Sequence, residues 1–481
     1  MSKLFYILLF LALPLSAQIN VVPQPNEITY HKGTCPISTK ISYIQDKSIN
    51  NPEGYQLIIK PNQIIIKFAT EAGKFYAEQT FNQLVFGAEV THKKSLPCLT
   101  ITDAPRFAYR ALMIDPARHY WKIDDIKKYI DVMAHYKFNY LHLHLTDDQG
   151  WRIEIKKYLK LTEIGSKRSD FEGSKRNNEG FYTQEQIKDL VLYALQRNVQ
   201  LVPEFDVPGH SDAAIAAYPF LSCNDTLIGV RTTAGVSKNL LCVGKEEVFT
   251  FIDDVIAELS AIFPCPYFHI GGDEAPMDKW LEHSPTLKLK QSLHTTNNQQ
   301  LMSEFFKRVN QSLQKNHKRP LIWLELEVPS YPQNSVMYLW RMRTTPQVLE
   351  RAKKDNFKLI CSPGEYAYFD YPQAKIDLPN VDWMPTLTLQ RVYEFNPAFS
   401  LTAEEEKQYI LGVEATLWGE SVKDVFRAFY MTYPRALALS EAGWTEMPKR
   451  DWQQFTQKLD LQLQYLLHKG INYRPPVELH Q

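Results

Sequence analysis

The sequence predicts an α/β protein in which a (β/α)8 TIM barrel follows a small α/β domain built of a sheet and a helix. Two observations support this fold class. From Arg110 onward, eight short apolar segments alternate with amphipathic helical segments, the pattern of parallel strands joined by crossover helices. Before that point, residues 18–104 contain a predicted hairpin and one helix. We therefore expect an accessory domain at 18–104, a barrel at 105–447 and a C-terminal helical tail at 448–481, packed on the barrel.

The barrel prediction depends on the order of its elements. Its helices show apolar residues at helical spacing, most clearly at Thr183–Arg197, which opens with a Thr183…Gln186 capping box; Asp124–Tyr136 and Val248–Ile262 are similar. The strands are runs rich in β-branched and aromatic residues, and they are predicted at Ala111–Asp115, Asn139–Leu145, Val199–Glu204, Tyr267–Gly271, Pro320–Leu324, Val336–Trp340, Phe357–Cys361 and Leu411–Trp418.

The small domain is predicted from a hairpin and a helix. Tyr55–Ile59 and Ile64–Phe68 alternate apolar and polar residues around a Pro-Asn turn, which predicts a β-hairpin. Gly73–Val85 is predicted to be a helix with Phe75, Ala77 and Leu84 on its buried face. Nothing in this domain has catalytic spacing, so we expect a packing or accessory role.

The first residues and the cysteines indicate export. Residues 1–17 carry one Lys, an apolar run and a small-residue end, which predicts a signal peptide cleaved after Ala17 and a periplasmic or secreted protein. We expect no membrane span, because no later stretch is long and apolar enough. Cys223 and Cys242 flank a polar loop and are the best candidates for a disulfide, whereas Cys35, Cys98, Cys265 and Cys361 are expected to be buried small hydrophobes.

The charge balance argues against two classes of partner. Lys and Arg together number 54, as do Asp and Glu, so nothing indicates a nucleic acid or an anionic membrane. Hydrophobic residues make up 44% of the chain, which is enough for a large ordinary core.

Polar residues follow the predicted strands, where a TIM barrel builds its active site. Together with several aromatic residues, they lie in the segments Asp115–His119, His142–Arg152, Pro203–Ser211 and His269–Ala275, and at Trp323, Trp340, Tyr368, Asp370, Trp418 and Glu420. Asp273 and Glu274 stand out among them, because they come directly after two glycines that end a buried strand. Adjacent carboxylates push their pKa values apart, so that one of the two can serve as an acid at neutral pH.

Several chemistries can be compared on these residues. His142-x-His144 has the spacing of paired metal ligands, but no Cys or clear His-carboxylate set completes the site, so we favour core histidines and expect no metal. The sequence has neither a nucleophile elbow nor a Walker loop, and we expect no cofactor. Carboxylates, Trp walls and an Arg suit glycoside hydrolysis, with one carboxylate protonating the leaving oxygen and its neighbour acting beside it.

Five long, ordered motifs carry a family resemblance: HLHLTDDQGWRIEI, EGFYTQEQIKDL, PEFDVPGHS, HIGGDEAP and LWGES. With them the chain resembles glycoside hydrolase family twenty, the β-N-acetylhexosaminidases, from about Gln18 to Thr445. The resemblance implies an exo-acting, retaining enzyme that removes terminal GlcNAc or GalNAc from a glycan. In such catalysis the acetamido carbonyl of the substrate attacks the anomeric carbon, and an oxazolinium ion forms.

The resemblance also implies residue roles. Glu274 matches the general acid/base, Asp273 the acceptor of the acetamido N–H, and Tyr368 the donor to the acetamido oxygen. Asp147 and His210 resemble the buried pair that supports Glu274. The sugar hydroxyls would be held by Arg118, Asp370 and Glu420, and the aromatic walls would be Trp323, Trp340 and Trp418.

Two segments depart from the family pattern, at Leu324–Glu327 and at Arg341–Arg343. Either Arg341 or Arg343 could favour an anionic neighbour such as a sulfated or sialylated sugar; the alternative is a pair of surface cations. The rival functions are release of a disaccharide, a non-catalytic sugar-binding barrel and a metal-dependent hydrolase.

Overall fold

The computed structural model describes residues 19–170, 172, 179–377 and 384–476. The predicted signal peptide, residues 1–17, lies outside them. The chain forms two compact units, one containing Pro25–Asp103 and the other containing Val22–Gln24 and Ala104–Gln481. Within the described ranges, no helix combines the length and hydropathy needed to cross a bilayer.

The first unit is a five-stranded sheet with one long helix. Its elements are β1 (Glu27–Pro36), β2 (Ile41–Gln45), β3 (Tyr55–Lys60), β4 (Gln63–Phe68), α1 (Glu71–Val90) and β5 (Ser95–Asp103), with the strand order β1-β5-β3-β4-β2. The predicted hairpin is confirmed, since β3 and β4 pair antiparallel around a turn in which Asn62 has φ +59°.

The predicted helix of this unit is also present, and it extends beyond the predicted bounds. Helix α1 begins after Thr70, whose side chain accepts a hydrogen bond from the Ala72 N–H. The expectation that Phe75 lies on the buried face was wrong. Ala77 and Leu84 are buried as expected, whereas Phe75 is only half-buried. The buried face also includes Tyr76 and Thr80, which with Leu84 are spaced four residues apart.

The second unit is a closed barrel of eight parallel strands, which confirms the TIM-barrel prediction. The strand order around the barrel is β10-β11-β12-β13-β14-β15-β6-β7. Each strand overlaps a predicted one and differs from it by at most two residues at either end. The strands are β6 (Tyr109–Ile114), β7 (Tyr140–His144), β10 (Gln200–Glu204), β11 (Tyr267–His269), β12 (Arg319–Trp323), β13 (Val336–Leu339), β14 (Lys358–Cys361) and β15 (Ile410–Leu417).

A two-stranded hairpin of β8 (Thr146–Asp147) and β9 (Gly150–Trp151) follows β7. The capping box predicted at Thr183 and Gln186 is formed. The helices are α2 (Ile123–His135), α3 (Lys160–Glu163), α4 (Gln184–Leu195), α5 (Asp212–Ala217), α6 (Glu246–Ile262), α7 (Asp278–Leu281), α8 (Ser284–Ser292), α9 (Gln300–Lys315), α10 (Thr345–Asp355), α11 (Gly364–Ala367), α12 (Leu389–Tyr393), α13 (Ala403–Tyr409), α14 (Val425–Thr432), α15 (Arg435–Trp444) and α16 (Trp452–His468).

The C-terminal helix α16 belongs to the same compact unit as the barrel. Its Phe455 ring stacks on Tyr393 at 4.6 Å, and its Tyr465 ring stacks on His135 at 4.0 Å. These contacts tie the tail to helices α12 and α2 of the barrel unit.

The barrel interior is apolar toward the start of the strands and polar toward their carboxyl ends. The apolar layer contains Tyr109, Ala111, Val202, Leu321, Val336, Tyr338 and Ile360. Alternate residues of a strand point to the same face. The residue two positions after an inward-pointing one therefore also points inward, in the next layer toward the carboxyl end of the strand. The polar ends of the strands therefore meet in one place.

A disulfide joins Cys223 to Cys242 in the connection between β10 and α6, as the sequence suggested. Cys35, Cys98, Cys265 and Cys361 are free and buried, which confirms their expected burial.

Candidate active site

A cavity of about 200 Å³ opens at the carboxyl ends of the barrel strands. It is lined by all the predicted site residues except Trp323. The lining residues are Arg118, Asp147, Asp206, His210, Asp273, Glu274, Trp340, Tyr368, Asp370, Tyr371, Trp418 and Glu420.

Two glycines after β11 carry the paired carboxylates into this cavity. Gly271 and Gly272 have φ +63° and +96°, and a Cβ on Gly271 would lie 1.6 Å from Asp206 Oδ1. Only glycine permits that approach. Glu274, two residues further on, also has a positive φ, +46°, which is uncommon for a residue with a side chain. Glu274 therefore needs contacts with neighbouring residues to keep this backbone conformation.

Asp273 is buried, whereas the side chain of Glu274 is 33% exposed. Burial, reinforced by the neighbouring charge of Glu274, raises the pKa of Asp273 to about 7, although His210 opposes the shift. Asp273 Oδ1 has no hydrogen-bond partner among the described residues. A buried carboxylate oxygen without a donor is suited to accept an N–H from a ligand.

His210 and Asp147 stand behind the two carboxylates. His210 Nδ1 lies 3.2 Å from Asp147 Oδ1, and its Nε2 lies 3.7 Å from Glu274 Oε2 and 3.9 Å from Asp273 Oδ2. Burial alone would lower the pKa of His210, but Asp147, Asp206 and Asp273 outweigh it and hold the pKa well above its usual value. A positively charged His210 stabilises the carboxylate that Glu274 becomes after it gives up its proton.

Arg118 is fixed by three carboxylates. Its guanidinium lies 2.8 Å from both Asp115 Oδ2 and Asp147 Oδ2 and 3.4 Å from Glu420 Oε1. The guanidinium carbon also lies over the Trp418 ring, 5.2 Å from its centroid. This anchoring gives the donors of Arg118 one orientation at the cavity wall.

Tyr368 and Asp370 also line the cavity. The Tyr368 hydroxyl and Asp370 Oδ1 are buried, and neither has a hydrogen-bond partner in the described part of the chain. Burial raises the pKa of both groups well above their usual values, so both keep their protons more readily than in water. Together with Trp340 and Trp418 they present hydroxyl-binding groups beside aromatic faces, which is what a sugar ring requires.

The structure places Trp323 below the cavity rather than in its wall. Trp323 is 1% exposed, its Nε1 donates to Glu204 Oε1 at 2.9 Å, and its ring lies 5.7 Å from that of Trp418. Its ring packs against that of Trp418, which lines the cavity.

Sequence reasoning missed two lining residues, Asp206 and Tyr371. Asp206 follows Glu204 by two positions in the PEFDVPGHS motif, so strand alternation could have identified it. Burial, then the charge of Asp273, raises its pKa well above the usual range. Tyr371 follows Asp370 in a turn, and no periodicity predicts where its side chain points.

Under the cavity, the two histidines considered as metal ligands belong to a network of imidazoles and carboxylates. His142 lies 2.9 Å from Glu414 Oε1 through Nδ1 and 3.1 Å from Glu204 Oε2 through Nε2. His144 contacts Glu204 through Nδ1 and lies 2.7 Å from Asp147 Oδ2 through Nε2. Burial would lower the pKa of His142, but the two glutamates raise it to about 9. Protonated imidazoles thus balance the buried carboxylates.

A second cavity, of about 320 Å³, shares Glu274 with the first. It lies along the loops that follow β11, β12 and β13, and its lining includes Gly272, Ala275, Pro276, Met302, Glu325, Glu327, Val328 and Arg341. Glu274 therefore lies between two cavities. The first has aromatic walls, and the second is more open and is lined by both apolar and charged residues.

Paired carboxylates, an anchored Arg and aromatic walls at the carboxyl end of a TIM barrel define a glycoside hydrolase. The chain belongs to one family of them. Residues 107–447 match the description "Glycosyl hydrolase family 20, catalytic domain", and residues 39–104 match "Glycosyl hydrolase family 20, domain 2". The predicted family is confirmed, and the chain is a glycosidase.

Known proteins resemble the chain over nearly its whole length. A beta-hexosaminidase of Akkermansia muciniphila is 38% identical over 95% of this chain and 92% of its own. The crystal structure of a beta-N-acetylhexosaminidase has 37% identity and a TM-score of 0.91, with 94% of this chain and 96% of that chain covered. A mutant beta-hexosaminidase of Streptomyces plicatus in complex with its product, GlcNAc, has 29% identity and a TM-score of 0.82 over 95% and 96% of the two chains.

Proposed function

We propose that this glycosidase is an exo-acting, retaining β-N-acetylhexosaminidase that removes terminal, non-reducing GlcNAc or GalNAc by substrate-assisted catalysis. The observation that supports it best is the pairing of Glu274 with a buried Asp273 whose Oδ1 has no partner among the described residues. The cavity of about 200 Å³ is smaller than ordinary ligand pockets and suits a single sugar ring.

In the first step, the carboxyl of Glu274 gives its proton to the glycosidic oxygen while the acetamido oxygen of the substrate attacks the anomeric carbon. The bond from that carbon to the leaving oxygen breaks, and an oxazolinium ion forms. Asp273 accepts the acetamido N–H and offsets the positive charge that develops there. Tyr368 donates to the acetamido oxygen and holds it in line for attack.

In the second step, Glu274 acts as a base. Its carboxylate takes a proton from water as the water oxygen bonds to the anomeric carbon and the oxazolinium ring opens, which restores the acetamido group. Two displacements at the same carbon retain its configuration. His210, held by Asp147, stabilises the Glu274 carboxylate between the steps.

The test is a comparison of three chromogenic β-glycosides: the N-acetylglucosaminide, the unacetylated glucosaminide and the glucoside. Since only the first carries its own nucleophile, we expect kcat/KM to fall on the order of 1,000-fold or more for the other two. Equal rates on all three substrates would refute participation of the acetamido group.

We also propose that the protein is exported, to the periplasm or the medium. The apolar run after Lys3 supports this, and so does the Cys223–Cys242 disulfide, because disulfides persist mainly in oxidising compartments. Expression with and without residues 1–17, followed by fractionation and N-terminal mass analysis, tests the proposal. A full-length chain that stays in the cytoplasm with residues 1–17 attached would contradict it.

A further inference from the structure

The two segments in which the sequence departs from the family pattern meet in the structure. Arg341, from the loop after β13, binds Glu325, from the loop after β12, in a bidentate ion pair. Nε lies 2.8 Å from Oε2, and one terminal nitrogen lies 2.5 Å from Oε1. The side chain of Glu325 is only 8% exposed, whereas that of Arg341 is 42% exposed. The buried partner therefore depends on this pair more than the exposed one does.

Glu325 also contacts the backbone of the acid. The Glu274 N–H donates to Glu325 Oε1 at 3.3 Å. Glu274 has φ +46°, a conformation that is unfavourable for a residue with a side chain and persists where neighbouring groups hold it. The Glu325 backbone is itself fixed, because the Tyr331 hydroxyl donates to the Glu325 carbonyl oxygen at 2.9 Å and accepts from the Glu325 N–H at 3.0 Å.

Arg341 extends this support to the aromatic wall. Its guanidinium carbon lies 4.3 Å from the centroid of the Trp340 ring, which lines the sugar cavity. The Trp340 Nε1–H donates to the Leu324 carbonyl oxygen at 3.1 Å. The same ion pair lines the second cavity on the other side of Glu274. One pair thus supports both the acid and the neighbouring sugar-binding surface.

We propose that Glu325 and Arg341 form a positioning pair that holds Glu274 in its catalytic conformation and that Arg341 is not an anion-binding residue. The proposal rests on the exo-hexosaminidase function given above. It argues against the hypothesis that Arg341 favours sulfated or sialylated neighbours, since Glu325 already occupies two donor groups of Arg341.

The pair also has an electrostatic effect on Asp273. The groups that act on Asp273 include His210, Glu274, Glu204 and Glu325, and the carboxylates among them raise its pKa. The carboxyl of Asp206 also lies within 4.8 Å of that of Asp273. Burial raises the pKa of Glu325 too, against the opposing effect of Arg341, while Glu327 adds to the rise. Removal of Arg341 leaves a buried carboxylate without its counter-charge beside Asp273. The pKa of Asp273 then rises further, and it holds its proton at a pH where the reaction needs it ionised.

The experiment is a double-mutant cycle of Arg341→Ala and Glu325→Gln, with Arg343→Ala as the matched control. Arg343 is exposed two residues further on, and its backbone N–H donates to Glu365. Gln keeps an acceptor for the Glu274 N–H but carries no charge, so it separates the hydrogen bond from the electrostatic effect. Each variant is assayed on N-acetylglucosaminides with a good and with a poor leaving group, across a full pH profile.

We expect Arg341→Ala to lower kcat about tenfold on the poor leaving group and less on the good one, because a displaced acid matters only where the proton is needed. The acidic limb of the kcat/KM profile should move up by roughly half a unit to one unit. Both effects should largely disappear when Arg341→Ala is placed in the Glu325→Gln background. Arg341→Lys should restore the limb and part of the rate, and Arg343→Ala should match wild type.

Equal effects of Arg341→Ala in both backgrounds would overturn the proposal, as would an unchanged pH profile. A loss confined to substrates with a sulfated leaving sugar would also overturn it and would assign anion binding to Arg341. Wild-type hydrolysis of the plain N-acetylglucosaminide is measured in the same series, so a failure of the proposed function is seen separately.

Discussion

Replacement of Asp273 by Asn should make the protein more stable while it makes the enzyme slower. Asp273 is buried, and burial raises its pKa from 3.8 to about 7. In the unfolded chain the group loses its proton near pH 4, whereas in the folded chain it holds the proton until about pH 7. The folded state therefore binds the extra proton between these values, and the free energy of unfolding falls as the pH rises through this window.

The size of the effect follows from the shift in pKa. About three pKa units at about 1.4 kcal/mol each give a cost of roughly 4 kcal/mol above pH 7. The Asn amide does not titrate and does not carry this cost. The stability difference between Asp273→Asn and wild type should thus be near zero below pH 4 and should grow to a few kcal/mol at pH 8; the pKa of about 7 already includes the opposing attraction to His210.

The assay is thermal unfolding of both proteins, without ligand, from pH 4 to pH 8, together with kinetics at pH 8, where Asp273 is ionised. We expect the midpoint of the variant to exceed that of wild type by several degrees at pH 8 and to coincide with it at pH 4. We expect kcat to fall about 100- to 1,000-fold on good and poor leaving groups alike, since Asp273 acts on the acetamido group. A midpoint difference that does not change with pH, or a variant less stable at pH 8, would refute the reasoning.

Three other predictions follow from the same structure. Glu274→Gln should slow poor leaving groups at least 100-fold more than good ones in a kcat series, and an equal loss would argue against its role as the acid. The pKa of His142 is raised from 6.5 to about 9, which contributes about 3 kcal/mol to the free energy of unfolding below pH 6.5; this contribution is lost as the pH rises through 9. In His142→Gln the unfolding midpoint should therefore fall less steeply over that pH range than in wild type. An unchanged slope would contradict the prediction. Cys223→Ser should lower the free energy of unfolding in denaturant by about 3 kcal/mol. Cys242→Ser should give the same loss, and the double variant should lose no more than either single one. Additive losses would indicate contacts other than the disulfide.

Strand positions were predictable because each one depends on local sequence. Apolar runs such as Val336–Trp340 are bounded by polar residues, and alternation with amphipathic helices leaves few topologies other than a parallel barrel. The bounds moved by one or two residues where the hydrogen-bond ladder ended before the apolar run did, as at Tyr267–His269.

Residue depth was less predictable than strand position. Trp323 is the last residue of β12 and Trp418 directly follows β15, yet only Trp418 is among the residues that line the cavity. The difference comes from the stagger of the strands around the barrel and from the partner that each side chain finds, in this case Glu204 for the Trp323 indole. A single sequence carries no signal for either.

The sequence by itself determined the barrel, the end at which its polar residues gather and the identity of the two central carboxylates. Those features depend on periodicity and on the rule that parallel strands bring their carboxyl ends to one edge. The tertiary structure alone decided which charges pair. Arg341 and Glu325 are 16 residues apart on two different loops, and Glu414 reaches His142 across 272 residues. Such pairs form because burial makes an unpaired charge costly, and only the folded chain sets which charges are buried together.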